Sequence, residues 1–284
     1  MGNGEIVSAD SRQVYRCMEI GTAKPARSEM EGVPHHCIDI KNPDESFSAG
    51  EYGKLARKIV SEIHSRDRLP IVTGGSGLYI RALVDGMFSV GNRDPELRKK
   101  LKKEAEEKGQ AALYKRLEKI DPEAAEKIHP NDKKRILRAI EVYEITGQPI
   151  SVIQKKHTRS SGFAAHFWGL KWPRAVLYQR IDQRADAMLE KGLVEEVKAL
   201  EAKGWGPELN ALDSVGYKEI FACLRGEIEY EEAVALIKRN TRRFAKKQLI
   251  WFQRDDRIQW IDMEEPVDWT GIARRILADL EKQM

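Results

Sequence analysis

The sequence predicts an α/β fold in which a parallel sheet core is interrupted by an all-helical insertion. Two short apolar runs, at residues 5–9 and 69–73, each end in small or polar residues, as buried strands do. Between them, residues 47–64 carry apolar side chains at helical spacing. Strand, helix and strand in this order are typical of a parallel core, because the helix returns the chain to the same end of the sheet.

The middle of the chain carries helix signals and no strand pattern. Asp94-Pro95 and Asp121-Pro122 each place an N-capping acid before a proline at the first helical position. Asn131-Asp132 offers another N-cap, and Gly147 is placed to end a helix. This stretch is therefore predicted to be entirely helical.

We expect two domains from this change of pattern. Residues 1–92 and 160–284 are predicted to form the α/β core, and residues 93–159 the helical insertion. After the insertion the pattern predicts a strand at residues 167–170 and amphipathic helices at residues 175–200, 230–252 and 272–280.

The composition excludes several classes of protein. The chain has 284 residues, 41% of them hydrophobic and 33% charged, with no apolar run long enough to cross a bilayer and no signal-peptide pattern. We expect a cytoplasmic protein without membrane contact. The cysteines, Cys17, Cys37 and Cys223, show no CxxC spacing, which argues against disulfides and zinc. The net charge of +4 permits a polyanionic partner without requiring one.

The stretch "VTGGSGLYI" places a glycine-rich turn between a strand and a helix. Backbone amides and the Ser76 hydroxyl can face a ligand from such a turn. Gly74, Gly75 and Gly77 are equally consistent with a tight turn that needs glycine for its backbone angles. The residues by themselves leave both interpretations open.

A second candidate site follows the first strand. Asp10 and Ser11 come at the carboxyl end of a parallel strand, where open α/β sheets bind their ligands. A single Asp in a turn is usually a helix cap. Here Arg12, Gln13 and Lys24 follow closely, and this concentration of hydrogen-bonding groups favours a functional site.

Two arginines in "LYQRIDQRADAM" form a third candidate. Arg180 and Arg184 are four residues apart, so on a helix they share a face and can bind one anionic group together. The alternative is a solvated face on which Asp182 and Asp186 alternate with the arginines. Spacing alone slightly favours this alternative.

The run "LIKRNTRRFAKKQLIWF" predicts a helix with one strongly basic face. Its cations fall on two adjacent rows, and residues 237–252 contain no acid, whereas a merely solvated surface usually mixes both signs. This favours a nucleic-acid partner. The rows consist of Lys238, Arg242 and Lys246, and of Arg239, Arg243 and Lys247. The stretch "NDKKRILRA" adds a second cluster, with Arg135 and Arg138 on one face near a helix start.

Taken together, these motifs resemble one family, the tRNA dimethylallyltransferases, or IPP transferases. The resemblance covers nearly the whole chain. It is carried by "SADSRQVYR", "IGTAKP", "GVPHH", "GGSGLY", "IHPNDKKRILRAIEVYEITG", "LYQRIDQRADAM", "SVGYKE" and "RRFAKKQLIWF", in the family's order. It implies a core related to P-loop nucleotide kinases, and so to nucleotide- and ATP-binding proteins, with a helical domain that contacts the anticodon stem-loop of tRNA.

The resemblance also implies a reaction and roles for residues. A dimethylallyl group passes from dimethylallyl diphosphate to N6 of the adenosine 3′-adjacent to the anticodon, with Mg²⁺ as cofactor, in a protein that we expect to be a monomer. Asp10, Ser76, Arg180 and Arg184 match catalytic positions; Gly74, Gly75, Ser76, Gly77 and Lys24 match the substrate channel. The implied tRNA contacts are Asp10, Ser11, Arg12, Gln13, Lys134, Arg135, Ile136, Leu137, Arg138, Arg242, Arg243, Lys246 and Lys247.

The sequence departs from the family pattern at one motif. The family's Walker-type loop, G-x-x-x-x-G-K-[ST], is found nowhere in the 284 residues. The Ser or Thr that ends this motif, and that is expected to bind the metal, is therefore absent as well. "MGNGEIVSAD" resembles the end of the family's first helix and its second strand. We therefore expect no transfer by these residues alone, and expect Ile6, Val7, Ile71 and Val72 to be incompletely covered.

Two other functions fit parts of the sequence. A non-catalytic tRNA-binding member of the family would keep the basic surfaces without the chemistry. A P-loop transferase acting on a small molecule or an adenylate would fit the core, but would leave the basic helix and the helical insertion unexplained.

Overall fold

The computed structural model describes residues 3–87, 94–157 and 162–282, and the chain divides into two compact units. Unit 1 consists of Met1–Ser48, Leu55–Ile80 and Phe163–Met284, and unit 2 of Ala49–Lys54 and Arg81–Gly162. The domain boundaries predicted from the sequence, at 92/93 and 159/160, lie outside the described residues. That division therefore stays a prediction.

Unit 1 contains parallel β-structure, which confirms the predicted α/β class. Its three-stranded sheet has the order β2-β1-β3, and a separate pair joins β4 to β5. The predicted strands are found within one residue of their expected positions, whereas β2 and β5 were not predicted. The strands are β1 (Gly4–Ser8), β2 (His35–His36), β3 (Leu69–Thr73), β4 (Phe167–Lys171) and β5 (Ile258–Asp262).

The remaining part of unit 1 is helical. The predicted helix at 175–200 is divided in two, because Gly192 adopts φ +98°, a left-handed conformation that ends helices. Two helices, α1 (Ala49–His64) and α2 (Gly77–Val84), have residues in both units. The helices that lie wholly in unit 1 are α8 (Arg174–Glu190), α9 (Leu193–Ala202), α10 (Tyr217–Leu224), α11 (Tyr230–Phe252) and α12 (Trp269–Glu281).

Coverage of the three-stranded sheet differs between its strands. On β3, Ile71 and Val72 are 44% and 37% exposed, as expected from the sequence. Val7 is completely buried, so that part of the expectation was wrong. The reason is that β1 lies between β2 and β3, while β3 has a strand on one side only among the described residues. Ile6 is half-buried.

Unit 2 is built from helices around one apolar core. The predicted caps are confirmed: Asp94, Asp121 and Asp132 each accept a backbone N–H in the first turn of a helix, and Gly147 ends one at φ +66°. Asp121 is buried and also accepts the N–H of Ser151 at 2.9 Å, which joins two helices. The helices are α3 (Pro95–Lys108), α4 (Gln110–Ile120), α5 (Pro122–Lys127), α6 (Lys133–Thr146) and α7 (Ile150–His157).

Among the helices of the described ranges, none has both the length and the apolar character that a membrane span requires. The structure thus offers no transmembrane segment within those ranges.

A buried carboxylate anchors the start of β1. Glu5 is 2% exposed and accepts hydrogen bonds from His36 at 2.7 Å, Arg66 at 2.9 Å and Arg68 at 3.2 Å. The hydrogen bond from His36, together with those from Arg66, lowers the pKa of Glu5 below its ordinary value of 4.5. The charged form of Glu5 therefore stabilises the pairing of β1 with its surroundings.

We predict that Glu5→Gln lowers the free energy of unfolding most at neutral pH. A carboxyl group whose pKa is lower in the folded chain stabilises the fold above its unfolded pKa, and this contribution disappears as the pH falls through the folded pKa. Denaturant unfolding of both chains between pH 7 and pH 3 should therefore show the difference shrinking toward acid. The exposed Glu31→Gln is the control, and a difference independent of pH would contradict the assignment.

Candidate active site

The candidate site lies where β1 and β3 end. The two strands pair in register, with Ser8 beside Thr73, so the loops that follow them begin side by side. The N–H of Ala9 donates to the Thr73 carbonyl, the N–H of Ser76 donates to the Ala9 carbonyl, and the N–H of Ser11 donates to Ser76 Oγ at 2.9 Å. The structure thus joins two motifs that are 65 residues apart in the chain.

The segment 10–13, here called the Asp10 turn, holds its own carboxylate in place. Asp10 Oδ1 accepts the N–H of Arg12 at 2.7 Å and that of Gln13 at 3.3 Å. Within the described part of the chain, no hydrogen bond is found for Oδ2. The side chain is half-buried. A carboxylate fixed by one oxygen, with the other available, can accept a proton from a correctly placed substrate.

The segment 74–77, here called the glycine loop, needs its glycines for steric reasons. Gly74 has φ +150°, and a Cβ there would lie 2.5 Å from the carbonyl of Ala9. At this position the structure supports the tight-turn interpretation. Ser76 Oγ accepts the Ser11 N–H, and because its own O–H has no acceptor among the described residues, it can donate to a ligand.

Two residues of α11 contact the glycine loop and were not singled out from the sequence. Gln248 Nε2 donates to the Gly75 carbonyl at 3.0 Å, and a Cβ on Gly77 would lie 2.1 Å from Trp251 Nε1. On a helical wheel of residues 237–252, Gln248 falls on the side away from the basic rows, and this position is the sequence signal that could have found it. Gly75 and Gly77 therefore also permit close packing of α11.

Several predicted site residues make internal contacts instead. Arg12 donates to the carbonyls of residues 210, 211 and 213, which ties the Asp10 turn to a distant loop. Gln13 Nε2 donates to the carbonyls of residues 22 and 23. Lys24 donates to the Tyr15 carbonyl at 2.8 Å and pairs with Asp39, and its side chain is only 4% exposed. The expectation that Lys24 lines a substrate channel is therefore not supported by this conformation.

The two arginines of α8 have different surroundings. Arg180 pairs with Glu265 at 2.9 Å and lies over the Trp172 ring at 4.3 Å. Arg184 is exposed and lines, with Arg180 and neighbouring side chains of α8, a cavity of about 430 Å³. No hydrogen bond or ion pair of the described residues links either arginine to the Asp10 turn. Of the two, Arg184 is the more available for an anion.

The basic face of α11 is partly neutralised. Arg242 donates to both carboxylate oxygens of Asp182, at 2.6 and 2.7 Å, and Lys238 pairs with Asp186 at 2.6 Å. Asp182 and Asp186 of α8 therefore form ion pairs with α11, and they do not simply alternate with the arginines on a solvated face. Four cations of α11 are exposed and have no ion pair among the described residues: Arg239, Arg243, Lys246 and Lys247. We call these four residues the free basic row.

The predicted cluster on α6 divides into exposed and buried members. Lys134 and Arg135 are exposed, although Arg135 also approaches its own N-cap, Asp132, at 3.3 Å. Arg138 is half-buried and pairs with the buried Glu141 at 2.9 Å. The expected tRNA contacts of Ile136 and Leu137 need correction, because both side chains pack in the apolar core of unit 2.

The comparison with known proteins identifies the family. A family model described as IPP transferase matches residues 13–255. The chain belongs to the IPP transferase family. Curated relatives named tRNA dimethylallyltransferase include that of Desulforudis audaxviator, 49% identical over 280 residues that cover 99% of this chain and 90% of the relative. That of Carboxydothermus hydrogenoformans is 52% identical over 262 residues, which cover 92% and 84%.

Solved structures of family members are similar in fold. The tRNA isopentenylpyrophosphate transferase of Bacillus halodurans superposes with a TM-score of 0.70 at 42% identity, covering 99% of this chain and 89% of that one. A eukaryotic dimethylallyltransferase, described in crystallographic snapshots as acting on tRNA, gives a TM-score of 0.82 at 29% identity, covering 97% and 72%. These similarities confirm the family and the fold inferred from the motifs.

We predict that the effect of Gly77→Ala on stability changes sign with residue 251. In the native chain the new methyl group would overlap the Trp251 indole, and relieving such an overlap typically costs about 1–3 kcal/mol. In a Trp251→Ala chain the overlap is absent, and alanine in the first turn of α2 should make the fold more stable than glycine does, by up to about 1 kcal/mol. Denaturant unfolding of the four chains tests this; equal effects in both backgrounds would show that the contact is unimportant.

Proposed function

We propose that the reaction of this protein is the transfer of a dimethylallyl group from dimethylallyl diphosphate to N6 of the adenosine 3′-adjacent to the anticodon of tRNA, with release of diphosphate, and that it proceeds only when a Walker-type loop completes the phosphate site. The observation that carries the proposal is the Asp10 carboxylate, held by backbone amides beside Ser76 where two parallel strands end. Family membership and the names of the relatives support the reaction type.

Asp10 is suited to remove the proton that this reaction releases. The exocyclic amine of adenine is a weak nucleophile because its lone pair is delocalised into the ring. As the amine nitrogen bonds to the allylic carbon, the carbon–oxygen bond to diphosphate breaks and one proton of the amine passes to Asp10 Oδ2. For this chemistry the target base leaves its stack, which costs a few kcal/mol in related cases.

The free basic row supports RNA as the substrate. Its four cations are exposed on α11 and have no ion pair among the described residues, so they are available to attract phosphates. The helix that carries them also contacts the glycine loop through Gln248. Lys247 lies four residues before Trp251, the other residue of α11 that packs against the glycine loop, so RNA bound along the free basic row would pass close to the candidate site. Lys134 and Arg135 of unit 2 are proposed as further contacts to the stem-loop.

The diphosphate site is proposed to need groups that these residues do not supply. The described residues contain no group of three or more His, Cys, Asp or Glu side chains that could hold a metal ion. The 284 residues also lack the Walker-type motif G-x-x-x-x-G-K-[ST], whose amides and lysine bind phosphates. Mg²⁺ therefore stays a prediction. A cytoplasmic location, ATP binding and a monomeric state stay predictions as well.

We predict that reversing three residues of the free basic row weakens stem-loop binding. Arg243→Glu, Lys246→Glu and Lys247→Glu together should reduce the slope of log K against log salt by about 2–3 units, since each lost phosphate contact removes about 0.7–0.9. Arg242 is left unchanged because it already pairs with Asp182. Fluorescence anisotropy with a labelled anticodon stem-loop, titrated at several salt concentrations, provides the measurement.

The matched control makes the same change of charge at α12 and its C-cap, with Arg274→Glu, Arg275→Glu and Lys282→Glu. This control should retain the slope of the native chain. An equal loss of slope in both triple variants would mean that net charge alone, and not the basic row, determines binding.

We predict that transfer depends on Asp10 once the phosphate site is complete. Residues 1–284 should give no measurable transfer of a labelled dimethylallyl group to a stem-loop, and a chain extended at its amino end with a relative's Walker-type loop should give transfer. In the extended chain, Asp10→Asn should lower kcat by about two to four orders of magnitude with RNA affinity retained. A decrease of less than about tenfold would assign Asp10 to positioning.

The same assays distinguish the alternatives. Stem-loop binding without transfer, even in the extended chain, would support a non-catalytic tRNA-binding protein. Transfer to adenosine monophosphate in the absence of stem-loop binding would support a small-molecule transferase.

A further inference from the structure

A carboxylate of α9 receives four hydrogen bonds from outside its own helix. Glu196 Oε2 accepts the N–H groups of Glu19 and Ile20, each at 2.8 Å, and Oε1 accepts the N–H of Gly21 at 3.1 Å. The hydroxyl of Tyr217, at the start of α10, donates to Oε1 at 2.6 Å. Hydrogen bonds to a charged acceptor are about twice as strong as neutral ones, so this cluster holds the segment 19–24 firmly. We call that segment the anchored loop.

Tyr217 also holds the anchored loop by close packing. A Cβ on Gly21 would lie 2.5 Å from the Tyr217 ring, so only glycine allows this approach. Tyr217 is completely buried, and this burial raises its pKa, which keeps the hydroxyl protonated as a donor to Glu196. Within the loop, Thr22 Oγ1 donates to the Met18 carbonyl at 2.6 Å.

The anchored loop in turn holds the Asp10 turn. Gln13 Nε2 donates to the carbonyls of Thr22 and Ala23 at 3.3 and 3.2 Å, and Gln13 Oε1 accepts the hydroxyl of Ser8 at 3.1 Å. The N–H of Gln13 donates to Asp10 Oδ1. A continuous chain of contacts therefore runs from Glu196 through the anchored loop and Gln13 to the Asp10 carboxylate.

The Asp10 turn is also held through Arg12, which contacts the stretch of the chain that contains α9 and α10. Arg12 donates to the carbonyls of Ala211 and Asp213, at 3.0 and 3.1 Å, in the loop that leads into α10. The Asp10 turn is thus fixed from two sides by the stretch that contains α9 and α10. Among the described residues, neither Glu196 nor Tyr217 has a hydrogen bond or ion pair to Asp10, so any effect they have on its chemistry passes through Gln13 or Arg12.

We propose that Glu196 and Tyr217 are positioning residues for prenyl transfer, which fix the Asp10 turn through the anchored loop. The proposal rests on the proposed function for its reaction, whereas the mechanical coupling stands on the contacts alone. A carboxylate that accepts a proton in the transition state must stay within hydrogen-bond distance of the amine, with its position held to a fraction of an ångström, and a mobile turn would lose that geometry.

The test compares four chains. Glu196→Gln keeps the shape of the side chain but places an NH₂ group among hydrogen-bond donors, and Gly21→Ala displaces the anchored loop from the Tyr217 side with Glu196 intact. The control is Asp121→Asn, a buried carboxylate that also accepts two backbone N–H groups, in unit 2. The native chain is the fourth. All are measured below their melting temperatures.

Amide hydrogen exchange measures the coupling between the anchored loop and the Asp10 turn, and it does not require an active enzyme. Both test variants should accelerate exchange of the Glu19–Gly21 amides and of the Arg12 and Gln13 amides by about tenfold or more, and Asp121→Asn should leave these amides unchanged. Acceleration confined to residues 19–21 would overturn the proposal, because the chain of contacts would then end before the Asp10 turn.

A second readout links the turn to the RNA. A stem-loop carrying 2-aminopurine at the position 3′-adjacent to the anticodon becomes more fluorescent when that base leaves its stack. Both test variants should bind this probe within about threefold of the native affinity, since the free basic row is intact, but should lose at least half of the fluorescence increase. Full fluorescence in Glu196→Gln would overturn the positioning role. Absence of binding by the native chain would instead contradict the proposed function, while hydrogen exchange would still decide the coupling.

Discussion

The in-register pairing of β1 with β3 is the constraint on which the candidate site depends. Because Ser8 lies beside Thr73, the Asp10 turn and the glycine loop both begin at the same edge of the sheet. Hydrogen bonds join the first residues after the two strands. A shift of one residue would turn every side chain of the strand to the other face and would separate Ser11 from Ser76. The buried Glu5, clamped by His36 and two arginines, stabilises β1 at its opposite end.

The helices of unit 1 then decide which charged groups remain available. Asp182 and Asp186 of α8 neutralise Arg242 and Lys238, and the free basic row is what remains on α11. The same division occurs on a smaller scale elsewhere, where Arg12 and Lys24 bind backbone carbonyls. The cations proposed to meet RNA are therefore those left exposed after the fold has used the others.

Much of the local structure could be predicted from the chain itself. The strand at 69–73 and the capping aspartates depend on patterns a few residues long, which act within the same element. Predictions failed where a longer pattern hid a break, as at Gly192, or where an element was too short to carry a pattern, as in β2. Ile136 and Leu137 were included as tRNA contacts because they lie between cations, yet their helix turns them into the core.

By itself, the sequence determined the family, the α/β class, the motifs at Asp10 and Ser76 and the surplus of cations on α11, since each depends on residue types at short spacing. Only the tertiary structure decided which of these groups meet. Gln248 lies 173 residues from the carbonyl that it binds, and Glu196 lies 175 residues from Gly21. Such contacts depend on how helices pack against strand ends, and no pattern within either segment specifies its distant partner.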